Sequence, residues 1–148
     1  MTADFSFEIT SPDESLVTIS LGGNLTSGEL ERVESDVRKV IDREDGKFGV
    51  LWDLRGVRRC DIGARRAMQK LQSEIASKQV RSAYVASRPR IRGVALWIVH
   101  TSGDKLARPF ANHEQATDWL DTSRGRIEEI IHRAKEIVSF VGGKGARQ

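Results

Sequence analysis

Two short arginine runs hold the residues of this chain best suited to binding chemistry. Arg55-Gly-Val-Arg58-Arg59-Cys60 follows one apolar segment, and Ser87-Arg88-Pro-Arg90-Ile-Arg92 follows another. A guanidinium keeps its charge and grips carboxylate or phosphate through parallel N–H donors, so this chemistry is recognition of an anion or an acidic surface. If the strands before the two runs are neighbours, Arg55, Arg58, Arg59, Arg88, Arg90 and Arg92 crowd one rim. Arg65 and Arg66 follow one helical turn later. Charge along the chain is segregated in the same sense: residues 1–50 carry eleven acidic and five basic side chains, residues 54–92 two acidic and eleven basic. Such a division makes a field that attracts anions if the segments form separate faces, and a set of solvated arginines if they do not.

Catalytic constellations are not evident. His100, His113 and His132 are scattered, and none has a second ligand at His-Glu-x-x-His spacing. Glu128, Glu129 and His132 share one face of the last helix, which reads as an exposed charged flank rather than a metal site. No Gly-x-Ser-x-Gly elbow and no Gly-rich phosphate loop occur, and Gly56 and Gly63 do not fit such spacing. Cys60 rules out an internal disulfide by being the single cysteine. Arg58 and Arg59 beside it would lower its pKa if it were exposed, although a lone cysteine without a positioned base reads as inert. Asp53 closes an apolar run, where it could bind loop amides or an arginine. Asp61 precedes a helix and reads as its cap. Trp52, Trp97 and Trp119 each fall on apolar runs and read as core. The expectation is a non-enzyme without cofactor or metal.

The elements that must position these residues follow from periodicity. Residues 5–9 and 16–21 alternate apolar with polar, and the turn residues Ser11 to Glu14 make them an antiparallel hairpin. Gly22-Gly23-Asn24 is expected to break the second strand. Thr26 and Glu29 then form a capping box, opening a helix that buries Leu30, Val33, Val37, Val40 and Ile41 and is ended by residues 44–46. Residues 48–54 are nearly continuously apolar, as for a central strand covered on both faces. A helix after Asp61 buries Ala64, Met68, Leu71 and Ile75. Residues 80–86 form another strand, and Pro89 opens a helix that Gly103 closes. Residues 106–111 read as an edge strand because of Pro109, and Asn112 caps a helix holding Ala116, Trp119 and Leu120. The order β-β-α-β-α-β-α-β-α implies an α/β fold: a hairpin, then alternating βα units with parallel strands and right-handed crossovers.

The C-terminal stretch is different in character. Ile127, Ile130, Ile131, Ala134, Ile137, Val138 and Val141 form an apolar stripe at helical spacing. It suits either packing on its own domain or a homodimer. The expected organisation is a domain over 4–121, an amphipathic helix over 122–141 and a disordered basic tail over 142–148.

The segment Leu51-Trp-Asp-Leu-Arg-Gly-Val-Arg-Arg-Cys-Asp-Ile-Gly-Ala64 resembles the signature turn of STAS domains, the anti-sigma-factor antagonist fold. Asp53, Leu54, Gly56, Val57 and Asp61 occupy that signature at its spacing. Phe110 and the run Ala116 to Leu120 look like the divergent SpoIIAA-like bacterial branch. The resemblance spans residues 5–121 and implies a sheet of about five strands with a regulatory binding role. It also implies a phosphoacceptor Ser or Thr where this chain has Ile62 and Gly63, with Ala64 at the final glycine of the signature.

These readings together give a non-catalytic regulatory module that recognises a protein partner through the loop and helix after the third strand. Its expected binding residues are Arg55, Arg58, Arg59, Asp61, Ile62, Gly63, Arg65, Arg66, Arg88, Arg90 and Arg92. The alternative is a carrier or sensor of a small anionic or lipid-like ligand. Nucleic acid is not expected, for lack of aromatic residues interleaved with the arginines. The longest apolar runs fall far short of the ~20 residues that cross a bilayer. With the cysteine usage and the absence of a signal-like N-terminus, this points to the cytoplasm.

Overall fold

The computed structural model describes residues 5–13, 16–43 and 48–121. The predicted C-terminal helix, its dimer stripe, the residue 44–46 helix stop and the Glu128–Glu129–His132 cluster lie outside them. Five strands form one sheet in the order of the sequence: β1 (Phe5–Asp13), β2 (Leu16–Leu25), β3 (Gly49–Cys60), β4 (Ser82–Val85) and β5 (Ala107–Phe110). β1 and β2 are the antiparallel hairpin, and every later pairing is parallel. The helices between parallel strands are α1 (Ser27–Arg43), α2 (Ile62–Ala76) and α3 (Pro89–Ser102). Because each crossover joins adjacent strands in one direction with the same hand, all three helices fall on one face of the sheet.

That face holds the main core. Alternation along β2 and β3 sends Val17, Ile19 and Leu21, with Val50, Trp52 and Leu54, into the helices. There they meet Leu30, Val33 and Val37 of α1, Met68, Leu71 and Ile75 of α2, and Ile91 and Ile98 of α3. The opposite face is covered over β3 and β4 by α4 (residues 113–121), where Ala116 and Leu120 pack on Leu51, Ala83 and Val85. Two-sided cover explains why residues 48–54 are nearly all apolar, as expected. Trp97 departs from its predicted core role: it is 40% exposed, beside Leu96 at 56%.

A buried polar network pins β3, α2, β4 and the segment after α3 together. The Gln72 side-chain oxygen accepts from Trp52 Nε1 at 3.1 Å and from Tyr84 Oη at 2.7 Å. Its nitrogen donates to Ser82 Oγ at 3.0 Å and to Asp104 Oδ2 at 2.7 Å. Each of these side chains is nearly or fully buried, and the amide uses its whole bonding capacity on them. Trp52 and Tyr84 stack at 5.5 Å above it, and burial pushes the Tyr84 hydroxyl well above its ordinary pKa, with Asp104 adding to the shift.

Local signals set the element ends. Thr26 N–H donates to Glu29 Oε1 at 3.3 Å and Glu29 N–H to Thr26 Oγ1 at 3.5 Å, the capping box expected for α1. Gly103 closes α3 with φ 76°. Asn112 Oδ1 accepts from Gln115 N–H at 2.8 Å and caps α4. β5 is an edge strand, as Pro109 predicts.

Two expectations are corrected together. Gly22-Gly23-Asn24 does not break β2, and Arg55 to Cys60 is not a loop: β2 runs to Leu25 and β3 to Cys60, paired with each other to the end. The glycines permit this rather than prevent it. Gly22 and Gly56 face each other so closely that a Cβ on Gly56 would meet the Gly22 Cα at 3.4 Å.

Candidate functional site

The long β3 carries two irregularities that decide where its arginines go. Leu54 and Arg55 together face Leu21, and Arg58 is the extra residue between the pairs Gly23↔Val57 and Asn24↔Arg59. Bulges of this kind re-aim side chains at the end of a strand. Arg55 turns to the face of Asp53 and binds it twice, Nε to Oδ1 at 2.8 Å and Nη2 to Oδ2 at 2.7 Å. Burial alone would raise the Asp53 pKa, but these bonds and the Arg55 backbone N–H (3.1 Å) outweigh it and hold the carboxyl below its ordinary value.

Beyond the second bulge, Arg58 and Arg59 open onto a cleft of about 600 Å³. Its walls are the end of β2 (Asn24, Leu25, Thr26), the end of β3 with Cys60 and Asp61, Arg65 of α2, and Arg90, Ile91 and Val94 of α3. Parallel strands end on this side and their helices begin here, the position at which open α/β sheets take ligands. Asp61 caps α2 as expected, its Oδ1 accepting from Ala64 N–H at 2.7 Å. Arg65 Nε donates to the Cys60 carbonyl at 3.1 Å, which fixes its stem to the end of β3.

The predicted rim of six arginines is therefore only partly assembled. β3 and β4 are neighbours, and Arg58, Arg59 and Arg90 converge, joined by Arg65 and Asp61. Arg55 faces away on Asp53, because β3 continues, with its first irregularity at Leu54 and Arg55, where a loop was expected. Arg88 is spent on structure, donating to the Val57 carbonyl at 2.9 Å and the Arg55 carbonyl at 3.4 Å. Arg66 and Arg92 are exposed and do not line the cleft. Ile62, the first residue of α2, is 62% exposed. Gly63 packs on α1: a Cβ there would lie 2.7 Å from Ser27 Cβ. Cys60 is 7% exposed, and burial pushes its thiol up to about 11 although Arg65 pulls the other way. The condition for a reactive thiol is not met.

Sequence reasoning missed Asn24, Leu25, Thr26, Ile91 and Val94 as lining residues. A signal existed: β2 is itself parallel to β3, so its carboxyl end belongs to the same rim as theirs. Among the described residues no group of three His, Cys, Asp or Glu side chains could hold a metal, and no helix is long and apolar enough to cross a membrane.

A hairpin leading into consecutive parallel βα units, with helices α1 to α3 on one face, is the SpoIIAA-like α/β arrangement. Solved structures agree. The anti-sigma factor antagonist SpoIIAA in its unphosphorylated form superposes with a TM-score of 0.62 at 16% identity, over 79% of this chain and 97% of that one. An anti-sigma factor antagonist from Mycobacterium paratuberculosis gives 0.61 at 14% identity, over 79% and 94%. An uncharacterised protein with a SpoIIAA-like fold from Shewanella loihica gives 0.58 at 15% identity, over 81% and 98%. No family model matches the sequence, and no curated protein matches it. At these identities the likeness establishes the STAS-type fold.

Proposed function

We propose that this chain is a non-catalytic regulatory module that recognises a protein partner through the start of α2 and the β3 end beside it. The observation that carries this reading is Ile62. It is an apolar side chain left 62% exposed at a helix start, with Arg65 and Arg66 three and four residues on and therefore on the same side of the helix. An exposed apolar anchor rimmed by arginine is the composition of protein interfaces. The anti-sigma factor antagonists that share the fold lend the reading its class. With Ile62 and Gly63 where the resemblance places hydroxyl residues, the module has no phosphoacceptor at those positions, and partner binding is not switched there.

The test is affinity capture from lysate with wild type, Ile62→Asp and, as a control on the exposed side of α1, Glu31→Lys. The expected result is a partner retained by wild type and the control and lost by Ile62→Asp. Equal capture by all three refutes it. A second reading, as carrier or sensor of a small anionic or lipid-like ligand, has the cleft in its favour, because about 600 Å³ falls within the range of small-molecule sites.

A further inference from the structure

The cleft is strongly unbalanced in charge. Among the described residues, Arg58, Arg59, Arg65 and Arg90 border it with one carboxylate, that of Asp61, which already accepts the Ala64 amide. The imbalance extends into the helices. Acidic side chains favour the first turn of a helix and cations are unfavourable there. α1 follows the rule with Glu29. α2 and α3 have no acidic residue in the first turn; α2 carries Arg65 at its fourth position, and α3 carries Arg90 and Arg92 at its second and fourth. α3 thus begins with the wrong sign of charge beside the cavity and α2 has only the carboxylate of its cap Asp61, so a bound anion would supply negative charge that these first turns lack.

The walls specify the anion further. Among the described lining residues, Arg59, Arg65 and Arg90 against Asp61 leave two positive charges, more than a single carboxylate balances. Planar guanidiniums suit phosphate oxygens. Leu25, Ile91 and Val94 give the same cleft an apolar side, and Asn24 and Thr26 add polar groups. Resting on the ligand-binding reading above, we infer that the cleft binds an organic phosphate with two or more negative charges, its phosphates on Arg59, Arg65 and Arg90 and its ring or apolar portion against Leu25, Ile91 and Val94.

Isothermal titration at constant ionic strength tests this with pyrophosphate and adenosine diphosphate as probes, on wild type, Arg59→Gln, Arg90→Gln and Arg92→Gln. Circular dichroism establishes that each variant is folded. Saturable binding is expected for both probes, tighter for the diphosphate bearing a ring. Arg59→Gln and Arg90→Gln should each weaken it by at least about tenfold, the loss of a charge-assisted contact, and Arg92→Gln, outside the cleft, far less. Sedimentation with phosphatidylcholine vesicles, with and without phosphatidic acid, identifies the source. Binding confined to phosphatidic acid keeps the phosphate chemistry and places it on a lipid headgroup. Equal weakening by all three variants, or no saturable binding to either probe or to the vesicles, overturns the inference. Native mass spectrometry of the purified protein separates the two failures: a co-purified ligand lacking phosphate, with no phosphate binding, refutes the class and keeps the ligand reading. An apo mass with no phosphate binding sinks both.

Discussion

Gly63 stands where the resemblance places a hydroxyl, so Gly63→Ser is the substitution that would restore one, and the structure says that it does not fit. The new Cβ would lie 2.7 Å from Ser27 Cβ, 3.1 Å from Ser27 Oγ and 3.5 Å from Asp61 Oδ1. Carbon atoms rest ~3.5–4.0 Å apart, so the first turns of α1 and α2 must separate by about 1 Å. Overpacking of this kind costs ~1–3 kcal/mol. Replacing glycine inside a helix returns about 0.5 kcal/mol, leaving a net loss of roughly 1–2 kcal/mol. Ser27 is the obstacle, which makes the argument testable by a double-mutant cycle. Ser27→Gly alone should cost about 0.5 kcal/mol through helix propensity, yet in the Gly63→Ser background it should be stabilising. Urea unfolding of wild type, both single variants and the double variant reads the coupling, expected to be about 1 kcal/mol at an unchanged m-value. Additive losses would refute the steric argument, as would a Gly63→Ser protein as stable as wild type.

Gln72→Leu should be among the most damaging substitutions at about 4 kcal/mol, since it strands the Trp52, Tyr84, Ser82 and Asp104 groups in the interior. Tyr84→Phe, which leaves the amide oxygen its Trp52 bond, should cost only about 1 kcal/mol; equal losses in denaturant unfolding would show that the network is not organised around Gln72. The Asp53 carboxyl has a folded pKa below its ordinary value, so its stabilisation is complete above the unfolded carboxylate pKa of about 4 and is lost as pH falls through the lower folded value. Asp53→Asn should flatten the acid side of the stability–pH curve, and an acid limb as steep as in wild type would mean the Arg55 pair contributes nothing there.

The sequence by itself determined the order of elements, their caps and most of the core, because these depend on neighbours within a turn or a strand. The Thr26–Glu29 box, Asp61, Pro89, Gly103 and Asn112 all act where local chemistry places them. It also carried the STAS-like frame through Asp53, Leu54, Gly56, Val57 and Asp61. What it misjudged was the reach of β2 and β3. Glycines and arginines read as a loop when each run is considered alone, but Gly22 and Gly56 allow two backbones to approach so closely that the pairing continues to Leu25 and Cys60. That pairing is a relation between segments over thirty residues apart in sequence, invisible to any local pattern. Only the tertiary structure decided the arginine rim, because two strand irregularities and a few carbonyls determine which guanidiniums face the cleft. They send Arg55 to Asp53 and Arg88 to β3, and leave Arg58, Arg59, Arg65 and Arg90 together around a cavity that no single stretch of the chain contains.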